Sequence, residues 1–299
     1  RLIDVKNTAD VNEKILSSMM VGREVIFDKI EKTGSPADVM IEARNLFVTD
    51  NRGLMAVEGV NLQVRSGEIL GIAAVEGNGQ SELVEAIAGM RQPEKGDVYI
   101  CGKRATGMDP RKVRKLGLAH IPEDRIATGA AMDSTVAENM MIGKERQKEF
   151  AAGGISIRRS TVERYVSGLS EKFDVRGGGL DTRAGGNMQK MIVAREFSLD
   201  TPAMVVSQPT RGVDVGAMEF IHKQIIAKRN HGCAILLVSA DLDELFRLSD
   251  RMITLYEGKV TGEFDPDGIT KTDIGYYMTG DRRCRQGGEQ DGQDQIVTG

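Results

Sequence analysis

Tryptophan is absent from the 299 residues, histidine and cysteine occur three times each, and aromatic residues make up only 4%. Cys101, Cys233 and Cys284 are far apart and odd in number, a pattern that fits neither a disulfide framework nor paired metal ligands. Bystander thiols in a reducing compartment are the expectation. His120, His222 and His231 stand apart from one another and from the cysteines, so a zinc or histidine-metal centre has little to build on. An excess of positive charge is missing too. Lys+Arg 40 against Asp+Glu 44 gives a net charge of -4, which argues against a whole-protein grip on nucleic acid or an acidic membrane surface. No apolar run approaches the roughly 18 residues of a membrane span, and no positively charged start followed by an apolar stretch marks a secretory leader. What is present is 40% hydrophobic and 28% charged residues, enough apolar material for one large or two modest folded domains. Arg1 in place of a methionine gives the expectation of a piece of a longer chain.

Residues 1–36 are polar and mixed, with one helical pattern at Val11, Ile15, Met19 and Met20, and read as an arm or linker ending at Gly34-Ser35-Pro36. From Val39 onward short β-branched runs alternate with glycines. Strands are predicted at Val57 to Val64, Ile69 to Val75, Asp97 to Cys101, Leu116 to Ile121, Met204 to Val206, Ala234 to Val238 and Met252 to Tyr256. Several are nearly continuous apolar runs, as strands buried on both faces of a mainly parallel sheet should be. Ser160 and Glu163 have capping-box spacing ahead of an apolar stripe at Val162, Tyr165, Val166, Leu169 and Phe173. Asp241 repeats the cap logic, and His231-Gly232 closes a helix running from about Gly216. Strand and helix alternate before residue 125 and after 200, and the stretch between is mostly helical. The fold class is therefore α/β with a helical insertion. The tail from Asp281, rich in Gly, Gln and Asp, is expected to be disordered.

The strongest local signal follows the strand at Ile69: Glu76-Gly77-Asn78-Gly79-Gln80-Ser81, then an amphipathic helix start. Strand, glycine loop and helix together aim backbone amides and a positive helix end at a phosphate. The full phosphate-loop pattern has a lysine and an earlier glycine; here Gln80 and Ala74 stand at those places. A phosphate loop and an ordinary tight turn are both open on this element alone. Four further elements carry polar groups at strand or helix ends: Ile121 to Arg125, Gly185 to Lys190, Ser207 to Gly216, and Val238 to Leu242.

Taken together, in their order and spacing, these five elements resemble the ATP-binding cassette of simple-sugar or nucleoside importers, and more closely the second cassette of the fused two-cassette proteins. Pro209 to Gly216 and Ile121 to Arg125 carry most of the resemblance, which runs from about Ile41 to Thr279. Ser18 to Glu24 resembles the end of a preceding cassette. The resemblance implies an α/β cassette over 37–280 of the phosphate-loop NTPase type with a mixed-sheet core, a helical subdomain at about 128–197, a linker at 1–36 and a tail at 281–299. It implies ATP and Mg2+ as ligands, with Gly77, Asn78, Gly79, Gln80, Ser81 and Glu123 around the phosphates and Ser81 and Ser207 toward the metal. It also implies a glycine signature at Ala184, Gly185, Gly186, Asn187 and Gln189, and Asp214 across a cassette–cassette interface.

The family pattern is broken at the chemistry. Gln80 replaces lysine, Ser207 the aspartate that supports magnesium, Gln208 the glutamate that polarises water, Ala240 the switch histidine, and Arg183-Ala184 the usual Leu-Ser. An amide cannot accept the water proton, so little or no hydrolysis is expected at this phosphate site. Glu123 is read as a nucleotide-sensing residue or a solvated acid, and Phe47 as a base-stacking aromatic or a core residue. The implied partners are another cassette, membrane permease subunits and, indirectly, an external solute-binding protein. The implied location is the cytoplasmic face of the membrane, with no nucleic-acid partner. Two other functions stay open: a structural pseudo-cassette without nucleotide, and a non-transport ATPase, which would be expected to keep the lysine, aspartate and glutamate.

Overall fold

The computed structural model describes residues 31–145, 147–153, 156–175 and 188–281. The strands are β1 (Val39–Thr49), β2 (Met55–Arg65), β3 (Ile69–Ala74), β4 (Lys95–Ile100), β5 (Lys103–Arg104), β6 (Leu118–Ile121), β7 (Ala151–Ala152), β8 (Ser156–Ile157), β9 (Ala203–Ser207), β10 (Ala234–Val238), β11 (Arg251–Tyr256) and β12 (Lys259–Phe264). The helices are α1 (Gln80–Ile87), α2 (Pro110–Leu116), α3 (Val136–Met141), α4 (Arg159–Lys172), α5 (Met188–Phe197), α6 (Val215–Asn230), α7 (Leu242–Leu248) and α8 (Lys271–Met278), with a π turn at Arg125–Gly129. The linker pattern at 11–20, the Ser18 to Glu24 segment, the signature at 183–187 and the tail beyond Asp281 lie outside the described residues.

Two sheets carry the fold. A six-stranded sheet runs in the order β12-β11-β3-β10-β9-β6, parallel except for β12, and a four-stranded antiparallel sheet runs β2-β1-β4-β5. Continuous apolar runs have a direct cause here, because successive strand residues point to opposite faces and both faces are covered. In β9 and β10, Met204, Val206, Ile235 and Leu237 join a core with helices α3 to α8, while Ala203, Val205, Ala234, Leu236 and Val238 join a second core against the antiparallel sheet and α1. Each of the larger side chains among them, valine, leucine, isoleucine or methionine, is worth about 1.5–3 kcal/mol. The strands predicted at Val57 and Asp97 exist, but in the antiparallel sheet.

Local signals decide the ends, with three corrections. The box expected at Ser160 does not form: α4 starts at Arg159 after Arg158, with no side-chain cap. The Arg158 amide donates to the Phe150 carbonyl at 2.8 Å and so ties the helix start to the β7–β8 hairpin, leaving Ser160 inside the first turn. That hairpin also interrupts the stretch expected to be helical. Leu116 ends α2 rather than opening β6, because Gly117 at φ 113 supplies the left-handed closure. Capping boxes do form at Thr135 with Glu138 and at Thr270 with Asp273. Among the described residues no helix is long and apolar enough to cross a membrane.

Candidate functional site

Register alone gathers the site. Val238 of β10 pairs with both Ile72 of β3 and Ser207 of β9, and Ile121 of β6 pairs with Val206. The carboxyl ends of four adjacent parallel strands therefore open onto one place, where ligands of open α/β sheets bind. A cavity of about 560 Å³ lies there, lined among others by Gln80, Ser81, Glu123, Arg125, Ser207 and Arg211. Sequence separations of more than a hundred residues collapse into one wall.

The loop ahead of α1 is built by glycine. Gly77 has φ 91 and Gly79 φ 94, a region that costs other residues roughly 1–2 kcal/mol. A Cβ on Gly79 would stand 2.0 Å from the Ala56 carbonyl oxygen, whereas one on Gly77 would meet no described atom within 4 Å. Gly258, in the β11–β12 turn, is pressed against the same carbonyl, at 2.5 Å for its imagined Cβ. Asn78 is strapped to that turn: its Oδ1 accepts from the Glu257 amide at 2.9 Å and its carbonyl from Gly258 at 3.2 Å.

Gln80 does something the sequence did not announce. Its side chain is buried and doubles back, Oε1 accepting from the Asn78 amide at 3.1 Å and Nε2 reaching the Val75 carbonyl at 3.4 Å. One loop amide is thereby satisfied from within the loop. The first-turn amides of α1 still lack intrahelical acceptors, as at any helix start, so the positive helix end remains. Ser81 Oγ donates to Glu123 Oε2 at 3.1 Å, and Arg211 Nη1 lies 3.3 Å from Glu123 Oε1. Asp124 caps the π turn; the amides of Ala127 and Ile126 hold its carboxyl below the usual carboxylate range, with Arg125 and Arg211 adding to the effect.

On the opposite wall Ser207 is buried and its hydroxyl has no partner. Gln208 is held at φ 47, and its Oε1 accepts from the Ala240 amide at 3.2 Å. Thr210 Oγ1 donates to Glu244 Oε1 at 2.9 Å, which also meets His222 Nε2 at 2.7 Å in a buried network. Gln189, the one signature residue among those described, donates from Nε2 to the Pro209 carbonyl at 2.8 Å. Asp214 caps α6 by accepting from the Ala217 amide at 2.9 Å. Phe47 lies within β1, not after it, half-buried with its ring against Gly59 and Lys95, and it does not line the cavity.

His120 flanks the cavity with Nε2 shielded and unpartnered, and burial pushes its pKa down to about 4, Arg114 and Arg195 adding to this and Glu196 opposing it. Burial raises the thiol of Cys233 to about 12 and that of Cys101 in the same direction, so neither is a ready nucleophile. Among the described residues no cluster of His, Cys, Asp and Glu could hold a metal by itself. Sequence reasoning named Gln80, Ser81, Glu123, Ser207, Gln208 and Ala240 but gave no work to Arg211, Thr210 or His222. Only Arg211 carried a signal, its charge inside a motif already quoted.

A match to the ABC transporter family covers residues 57–211. The chain is 38% identical over 282 residues to the nucleoside import ATP-binding protein NupA of Lactococcus lactis, covering 93% of this chain and 56% of that protein. It is 42% identical over 280 residues to the glucose import ATP-binding protein TsgD13 of Haloferax volcanii, covering 92% and 51%. A solved dimeric, post-hydrolysis ATP-binding cassette, MJ0796 with ADP and phosphate, shares the fold at TM-score 0.65 and 21% identity, over 77% of this chain and 100% of that one. The chain spans about half the length of the curated relatives it matches. It belongs to the ABC transporter family.

Proposed function

We propose that this member of the ABC transporter family is the nucleotide-binding subunit of an importer for simple sugars or nucleosides, and the second, degenerate cassette of a two-cassette protein. The names of the relatives support the importer reading, and coverage of only half their length supports the two-cassette one. In this reading residues 37–280 are the cassette, about 128–197 its helical subdomain, 1–36 the end of a preceding cassette and 281–299 a tail. The partners are that preceding cassette, permease subunits in the membrane and an external solute-binding protein, with this chain peripheral on the cytoplasmic side.

ATP would lie with its phosphates against Gly77, Asn78, Gly79, Gln80 and Ser81, within reach of Glu123. Mg2+ would meet the hydroxyls of Ser81 and Ser207. The fit rests on the buried, unpartnered Ser207 hydroxyl and on the oxygen-only donor set, which is what magnesium prefers. When bound, the ion would supply charge neutralisation between the outer phosphates. Ala184, Gly185, Gly186, Asn187 and Gln189 would face the partner cassette's nucleotide, and Asp214 the interface.

One observation carries the reading of weak or absent hydrolysis. Three of the converging strand ends present Gln80, Gln208 and Ala240 where hydrolysis in this family uses a cation on the outer phosphates, a base for the attacking water and a polar contact to the γ-phosphate, and the Gln208 amide is engaged with the Ala240 backbone. Calorimetric titration of the chain with ATP and magnesium, with phosphate release followed in parallel, tests it. Binding without turnover is expected. Turnover at the rate of an intact cassette would overturn the degenerate assignment. Absence of binding at millimolar nucleotide would favour the structural pseudo-cassette, the reading toward which Gln80 leans by occupying the Asn78 amide. The triple variant Gln80→Lys, Gln208→Glu, Ala240→His is expected to gain measurable phosphate release.

A further inference from the structure

The cavity at the head of α1 lacks a lysine but not a cation. Arg125 and Arg211 both line it, among its described residues, alongside Glu76, Glu85, Glu123 and Asp124. Three of these four acids have assigned partners. Glu85 pairs with Arg91 at 2.8 Å, Asp124 caps the π turn, and Glu123 is shared between Ser81 Oγ and Arg211. Glu123 thus brings the Arg211 guanidinium to within one carboxylate of the Ser81 hydroxyl at the positive end of an eight-residue helix. The unpartnered hydroxyl of Ser207, buried to 3% exposure, lines the same cavity. Arg125 stands behind, its guanidinium 3.3 Å from the position a Cβ of Gly212 would take.

We propose that Arg211 is the phosphate-binding cation of this site, taking over the charge missing at Gln80, and that Glu123 is the latch that holds it when no polyphosphate is bound. This rests on the reading of the cavity as a nucleotide site. The chemistry is an exchange of one anion for another on a guanidinium. Arginine suits it because its planar fork binds carboxylate and phosphate oxygens in the same paired manner. Arg211 arrives from the loop after β9 rather than from α1, so it reaches the outer phosphates from the opposite wall. Its side chain is 60% exposed, and releasing it from Glu123 disturbs no core packing. The ligand class is therefore a nucleoside di- or triphosphate, recognised by its terminal phosphates. A nucleoside monophosphate gains nothing from Arg211.

The test is calorimetric titration of the full chain and its variants Arg211→Ala, Arg211→Lys and Glu123→Gln with ATP, AMP and inorganic tripolyphosphate, with melting curves to check folding. Wild type is expected to favour ATP over AMP. Arg211→Ala should lose about tenfold or more for ATP and tripolyphosphate and nothing for AMP, with Arg211→Lys in between. Glu123→Gln should tighten tripolyphosphate in the absence of metal, because the guanidinium no longer has to leave a carboxylate. If ATP binds and Arg211→Ala leaves its preference over AMP unchanged, the Arg211 assignment falls and the nucleotide reading stands. If tripolyphosphate alone binds, in an Arg211-dependent way, the nucleotide reading falls and the assignment stands. If nothing binds, both fall.

Discussion

The two walls of the cavity are built on opposite plans. The loop at residues 75–81 turns inward: Asn78 is strapped to the β11–β12 turn, Gln80 is folded onto Asn78, and Gly79 is wedged under a carbonyl. The segment at 207–214 turns outward, with an unpartnered hydroxyl at Ser207 and a guanidinium at Arg211 that reaches across to Glu123. The first wall keeps its shape without a ligand. The second keeps the groups that would answer to one. One wall thus supplies shape and the other supplies charge.

The largest break in this contrast is steric. Gly79→Ala meets the Ala56 carbonyl in a left-handed conformation, and overpacking plus backbone strain should cost about 4 kcal/mol. Gly77→Ala, with open space around it, should cost only the backbone part, about 1 kcal/mol. Denaturant unfolding of the pair measures the difference, and equal losses would refute the picture of a wedged loop.

A second break is by acid. His120 lines the same cavity, and burial holds its pKa at about 4, below the ordinary 6.5. The unfolded chain then binds the proton first, so stability is full above about 6.5 and falls as pH drops toward 4, by up to about 3 kcal/mol. The depressed carboxylates Asp109, Asp124 and Glu138 act in a lower window, at and below their unfolded values near 4. Melting temperatures of wild type and His120→Leu between pH 7 and pH 4 should diverge in slope, with the variant flatter. The smallest effects sharpen the outward wall. Thr210→Val removes a hydroxyl donated to a buried carboxylate and should cost about 1.5 kcal/mol, whereas Ser207→Ala removes one that donates to nothing described and should cost about 0.5 kcal/mol or less. Chemical denaturation of both variants reads this contrast.

Much of this was legible before any coordinates. Ala234–Val238 reads as a strand buried on both sides because every residue is apolar, and it is one. Asp241 stands at a helix start with the chemistry of a cap, and it caps; Asp214 caps as well, a role its sequence reading did not include. Ser160 had the same chemistry and failed, because a hydrogen bond from a hairpin eight residues back set the helix start. Local pattern cannot weigh such a tether. Gln80 was legible as a missing charge, but its fold onto Asn78 is a choice among rotamers that no spacing records. The His222–Glu244–Thr210 network joins three elements across more than thirty residues, and nothing in the composition of any one of them announces the other two.

Gly79 and Gly258 lean on the same carbonyl of Ala56 from two sides, and that shared support has an evolutionary reading. Any lineage carrying this fold pays for a side chain at either place with misfolding, whether or not nucleotide is ever bound. Selection for a foldable chain is thus enough by itself to keep glycine at both places, independently of what stands at positions 80, 208 and 240.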